Sequence, residues 1–183
     1  MKFNTKTIHG GQKHEETTGS VMPPVFLTST FAQSSPGQHK GYAYARGTNP
    51  TRTALEANLA ALENGTHAFA FASGMAAIDA VLRLLKPGDE VIAGDDLYGG
   101  TYRMFTQLFQ KYGLEFSFVN MNKVANVTNA ITSKTKLVWI ETPTNPLMKI
   151  ANIHKITTNV KEENSEILIA VDNTFATPYL QKP

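Results

Sequence analysis

Leu137-Val138-Trp139-Ile140-Glu141 runs directly into Thr142-Pro143-Thr144-Asn145-Pro146. The run is apolar at successive positions, so both faces of an extended strand would be buried, and a carboxylate closes it. Two prolines then stiffen the exit and deny it ladder hydrogen bonds. The stretch therefore reads as a central strand that ends in a rigid polar loop.

Working outward, apolar runs recur at 68–72, 91–94, 115–119 and 167–172, separated by helix-length segments at 74–85, 100–112, 124–131 and 153–161. This alternation predicts βα units that feed a mostly parallel sheet with helices on both faces, an α/β fold. Pro87-Gly88-Asp89 closes the first of those helices. Upstream, Leu55, Leu59 and Leu62 recur at helical spacing behind Asn49-Pro50-Thr51, and Gly65 supplies a stop. Residues 1–50 mix Gly, Pro, Ser and Thr with scattered aromatics and hold no sustained period, which reads as an extended arm that packs on something else.

Composition removes several classes of chemistry. With no cysteine among 183 residues, disulfide scaffolds, thiolate metal sites and thiol nucleophiles are excluded. The five histidines form no H-x-x-x-H pair, so no metal is expected. Net charge is +2 without a run of Lys or Arg, which argues against nucleic acid or an anionic membrane as partner. No stretch approaches the roughly 20 apolar residues that span a bilayer, and Met1-Lys2-Phe3-Asn4-Thr5-Lys6 lacks the apolar block of a secretory signal, so the cytoplasm is the expected location.

Ligands on such sheets bind outside the carboxyl ends of the strands. Ser73-Gly74 follows a run and opens a helix, where free N–H groups and a hydroxyl could hold a phosphate; taken alone, Ser73 reads better as a plain serine cap. Neither G-x-G-x-x-G nor G-x-x-x-x-G-K-[ST] occurs, so a phosphate there would belong to another kind of cofactor. Asp172 ends an apolar strand, a costly place for a carboxylate without a positive partner. A protonated heterocyclic nitrogen would be one partner, and a loop or cap role is the alternative. Tyr98, beside Gly99-Gly100, could stack on an aromatic cofactor or lie as an amphipathic surface aromatic. Tyr44 and Arg46 would point the same way from an extended segment, or be solvated. Asn145, between two prolines, could donate a hydrogen bond at little ordering cost, or serve only the turn.

Taken together, Tyr44-Ala45-Arg46-Gly47-Thr48-Asn49-Pro50-Thr51-Arg52, Phe71-Ala72-Ser73-Gly74-Met75-Ala76-Ala77, Asp95-Asp96-Leu97-Tyr98-Gly99-Gly100-Thr101, Glu141-Thr142-Pro143-Thr144-Asn145-Pro146 and Val171-Asp172-Asn173-Thr174-Phe175 resemble the Cys/Met-metabolism branch of fold-type I pyridoxal-phosphate enzymes. The resemblance implies the large-domain fold of that group, incomplete here, over residues 51–183, with residues 1–50 as an arm that contacts a neighbouring subunit. It implies pyridoxal 5'-phosphate as cofactor. Ser73, Gly74 and Met75 would bind its phosphate, and Tyr44 and Arg46 would reach that phosphate from the neighbouring subunit of a homo-oligomer, a homotetramer in the family. Tyr98 would stack on the ring and take the catalytic part of assisting proton transfer; Asn145 would bond the ring oxygen, Asp172 would pair with the ring nitrogen, and Thr174 would sit against the cofactor. Many members carry Ser where Ala45 stands, a position that should face away from the phosphate.

The implied reaction is elimination at the γ-carbon of a sulfur amino acid, as in the cystathionine γ-lyases of transsulfuration. Cystathionine γ-synthase, β-lyase and methionine γ-lyase are the alternatives. Members hold the cofactor through a lysine in a Ser-x-Thr-Lys motif after the aspartate strand, which this sequence does not reach by Pro183. Ser133-Lys134-Thr135-Lys136 precedes the strand of Trp139 and reads as a solvated turn. The 183 residues alone are accordingly expected to be catalytically incompetent. A truncated fragment that acts by binding is the alternative of another class.

Overall fold

The computed structural model describes residues 1–183, which divide into two compact units, Met1–Ala70 and Phe71–Pro183. In the first, α1 (Phe3–His9) precedes a small antiparallel hairpin, β1 (Gln33–Ser35) with β2 (Gln38–His39), and then α2 (Pro50–Glu63). The arm is therefore not extended throughout. Its helix is held by a distant residue: the buried Asn58 of α2 donates from Nδ2 to the Lys6 carbonyl at 3.1 Å and the Gly10 carbonyl at 2.8 Å. Gly11 follows at φ +69°, where a Cβ would stand 2.2 Å from the Ala57 carbonyl oxygen, so only glycine permits this approach. The start of α2 follows its sequence signals, with the Asn49 side chain accepting from Thr51 N–H and Pro50 in the first turn. Its stop is Asn64, left-handed at φ 58°, one residue before the glycine expected to end it.

The second unit alternates α3 (Gly74–Leu82), β3 (Glu90–Gly94), α4 (Gly99–Arg103), β4 (Glu115–Val119), α5 (Val124–Thr128), β5 (Thr135–Glu141), α6 (Ile153–Glu163), β6 (Leu168–Asp172) and α7 (Thr177–Leu180). The four strands form one parallel sheet in the order β4-β3-β5-β6. Helical winding past α4 continues through a π turn at Met104–Leu108 and a 3-10 turn at Phe109–Tyr112, so the single helix expected at 100–112 changes pitch twice, carrying Phe105 and Phe109 into the core. No helix is long and apolar enough to cross a membrane.

Strand alternation sorts the core into two layers. Val91, Ala93, Leu137 and Trp139 pack with Ile78, Leu82 and Phe105 on one face, and Ile92, Val138 and Ile140 with Val127, Ile156 and Val160 on the other. The run at 68–72 forms no strand. A strand requires a neighbouring strand to pair with, and this segment pairs with none, its Ala70 N–H donating instead to Glu56 Oε1 at 2.9 Å; Phe69 and Phe71 stay 75% and 49% exposed, and the boundary between the units falls between them.

The expected solvated turn at 133–136 is corrected in part. Thr135 opens β5 fully buried, and its hydroxyl donates to Glu90 at 2.7 Å. Ser117 and Thr132 hydroxyls reach the same carboxylate at 2.6 and 2.7 Å, at the amino ends of the strands. Burial pushes the Glu90 carboxyl up, but the three hydroxyls and the nearby Lys134 charge outweigh it and hold the group below its ordinary value of 4.5. Because the folded value lies below the unfolded one, this group stabilises the fold above the unfolded value, and that contribution disappears as pH falls through the folded value. Urea unfolding of wild type and Glu90→Gln should therefore differ most at neutral pH and converge in acid; a difference independent of pH would refute this account.

Candidate functional site

The chain moves from β3 outward to β4, then returns across β3 to form β5 and β6. That reversal leaves a crevice at the carboxyl ends of β3 and β5, the expected ligand position on a parallel sheet. A cavity of about 420 Å³ lies there, lined by Ser73, Gly74, Met75, Tyr98, Asn145, Asp172 and Thr174 among others. Every residue expected in the second unit thus meets in one place.

Local folding explains each wall. Ser73 caps α3, its Oγ accepting from Ala76 N–H at 3.1 Å, which leaves the hydroxyl hydrogen free to donate. Gly74 and Met75 are the first two helical residues, and their N–H groups have no carbonyl one turn back to bond. A Cβ on Gly74 would meet no protein atom within 4 Å, so the space before this helix end is open. The loop after β3 brings in Tyr98. A Cβ on Gly100 would fall 2.4 Å from Tyr98 Cε1 and 2.9 Å from Met75 Sδ, so the ring lies where only glycine allows it.

Asp172 ends β6 directly opposite Glu141 of β5. Its Oδ1 accepts from Thr174 N–H at 3.2 Å and from the Thr174 hydroxyl, which fixes the carboxylate. The Thr142-Pro143 and Asn145-Pro146 peptides are both cis. Asn145 donates its backbone N–H to Glu141 Oε1 at 2.8 Å, and none of the hydrogen bonds within the chain occupies its side-chain amide.

Glu141 joins the site although no motif in the sequence gives it a role there. It is buried, lines the cavity and accepts from Tyr98 N–H at 2.9 Å through Oε2 and 3.1 Å through Oε1. Burial pushes its carboxyl above the usual range; the Tyr98 and Asn145 N–H groups pull it down, and the Asp172 and Asp96 charges push it up. The signal was available: a glutamate that ends an apolar run raises the same question as Asp172.

Tyr44 and Arg46 belong to the first unit. The segment between them is a turn, with Gly47 N–H and Thr48 N–H donating to the Tyr44 carbonyl at 3.0 and 3.1 Å. The side chains are therefore not set side by side along an extended segment; the Arg46 guanidinium lies over the Tyr44 ring, 5.0 Å from its centroid.

The donor set of the cavity fits a phosphorylated pyridine. Hydroxyl and free N–H groups stand at a positive helix end, and an aromatic ring, an amide and a fixed carboxylate line the same space.

Comparison with known proteins agrees with the geometry. The chain is 51% identical over 182 residues to a protein named cystathionine beta-lyase from Coxiella burnetii, covering 99% of this chain and 46% of that protein. It is 51% identical over 181 residues to a probable cystathionine gamma-synthase from Herpetosiphon aurantiacus, covering 99% and 56%. The crystal structure of cystathionine gamma-lyase from Lactobacillus plantarum, complexed with L-serine, superposes with a TM-score of 0.94 at 46% identity over 100% of this chain and 47% of that one. The chain spans about half the length of these relatives. Residues 4–183 match the family described as Cys/Met metabolism PLP-dependent enzyme, and the chain belongs to that family.

Proposed function

We propose that this chain is the cofactor-holding part of a pyridoxal-phosphate enzyme that works at the carbon–sulfur bond of a sulfur amino acid. The supporting observation is the convergence of Ser73, Tyr98, Asn145, Asp172 and Thr174 on one cavity at the strand reversal. Ser73 Oγ–H and the N–H groups of Gly74 and Met75 hold the phosphate. Asp172 pairs with the ring nitrogen, Asn145 bonds the ring oxygen, Thr174 keeps Asp172 oriented, and Tyr98 lies against the ring with its hydroxyl placed to move a proton. When bound, the protonated ring supplies a sink for the electrons left by α-proton removal. Tyr44 and Arg46 come to the phosphate from a second copy, and the cytoplasm is the proposed location.

Among the reactions of the family, γ-lyase does not lead. Two relatives at 51% identity carry β-lyase and γ-synthase names, against 47–48% for relatives named cystathionine gamma-lyase. We therefore favour β-elimination or γ-replacement on cystathionine or its precursor over γ-elimination.

The test is a titration of the purified chain with pyridoxal phosphate, followed by induced circular dichroism in the visible. A saturable signal is expected; its absence would falsify the cofactor reading. Cystathionine added to the loaded chain should give neither pyruvate nor 2-oxobutanoate above a free-cofactor blank, because the residues that line the cavity include no lysine. Formation of either acid overturns that expectation, and which acid forms identifies the bond cut.

A further inference from the structure

Glu141 has no part in the roles assigned above, yet it occupies the middle of the site. It ends β5, a strand buried along nearly its whole length, and stands opposite Asp172 across the sheet ladder. Its carboxylate takes the backbone N–H of Tyr98 from the loop after β3 and that of Asn145 from the loop after β5. A second carboxylate answers in the opposite direction: Asp96, from the β3 loop, accepts from the Thr144 hydroxyl and from Leu147 N–H at 3.1 Å in the β5 loop. The two loops are thus fastened together in both directions, Glu141 at the end of β5 accepting an N–H from each loop and Asp96 of the β3 loop accepting a hydroxyl and an N–H from the β5 loop.

The location of Glu141 is unfavourable for an acid. It is buried, and the charges of Asp172 and Asp96 both work against its own. An apolar side chain would line the cavity without that cost, but it would leave the Tyr98 and Asn145 N–H groups without an acceptor.

We propose that Glu141 is a positioning residue, whose carboxylate locks the Tyr98 and Asn145 backbones to the sheet position that also carries Asp172, so that the three cofactor-facing groups share one rigid reference. The proposal rests on the cofactor reading above.

The test combines amide hydrogen exchange by NMR with pyridoxal-phosphate titration on wild type, E141Q and E141L. Leucine removes both acceptor oxygens and keeps bulk. Protection at Tyr98 and Asn145 should fall roughly tenfold or more in E141L, with Val138 and Ile140 unchanged, and the dissociation constant of pyridoxal phosphate should rise about tenfold. Glutamine keeps one acceptor oxygen, at the Oε1 position that serves Asn145 N–H and, more weakly, Tyr98 N–H, and turns an NH₂ toward Tyr98, so in E141Q Tyr98 should lose part of its protection, Asn145 should keep its own, and the constant should rise about threefold. E141Q is isosteric and carries the test by itself if E141L does not fold. Unchanged exchange, or loosened amides with unchanged affinity, overturns the positioning role while leaving the cofactor reading intact. No binding by wild type overturns both.

Discussion

Asp172→Ala should weaken pyridoxal-phosphate binding about a hundredfold. A carboxylate about 4 Å from a ring cation, at an effective dielectric near 20, is worth roughly 4 kcal/mol, or about three orders of magnitude. Part of that is spent on removing both charges from water and on the neighbouring Glu141 carboxylate, so about two orders of magnitude is the expected remainder. Asp172→Asn separates charge from shape. Its amide oxygen can still accept from Thr174 N–H and the Thr174 hydroxyl, the two donors that orient Asp172, while the negative charge is gone. The asparagine variant should therefore bind nearly as poorly as the alanine one, read as the midpoint of the induced dichroism. Binding by Asp172→Asn within about threefold of wild type would show that the ring nitrogen does not rely on this charge.

Phe105→Ala should destabilise the second unit by about 3–5 kcal/mol, a large share of the total stability of an ordinary domain. Phe105 is 0% exposed in the π turn that follows α4. Its ring stacks on Phe116 at 4.8 Å and 19°, and meets Trp139 edge-on at 5.7 Å and 90°, so it joins the helical layer to both β4 and β5. Truncation would open a void that three structural elements would have to fill together. Leu84→Ala is the control, since Leu84 is 68% exposed and its loss should stay within about 0.5 kcal/mol. Urea midpoints of the two variants check the contrast, and equal midpoints would refute this view of the core.

The parallel sheet was legible because β3 and β5 are apolar at consecutive positions, a pattern that local sequence alone carries. The ligand edge was legible for the same reason: once strand ends are known, the polar residues that follow them must gather on one side. What failed depends on partners far along the chain. Residues 68–72 have the composition of a strand but no neighbouring strand to pair with. Helix α1 has no strong period of its own and is secured by Asn58, fifty-two positions beyond Lys6. Asn64 ended α2 one residue early because a left-handed asparagine serves almost as well as glycine there. Glu141 differs: its presence at the end of an apolar run marks it for the site, but its role rests on the backbone N–H groups of Tyr98 and Asn145, which no side-chain motif reveals.

In the order β4-β3-β5-β6, Asp172 lies on the strand of these four that emerges last during synthesis, whereas Ser73 precedes all four. A ligand that needs both ends of this span cannot be gripped by a nascent chain in which β6 is still undocked. The binding free energy of such a ligand would accrue only to chains with β6 in register, so that its supply would favour molecules in which these four strands are correctly paired. In that sense the ligand would act as a check on the pairing of β6 as well as a partner of the site.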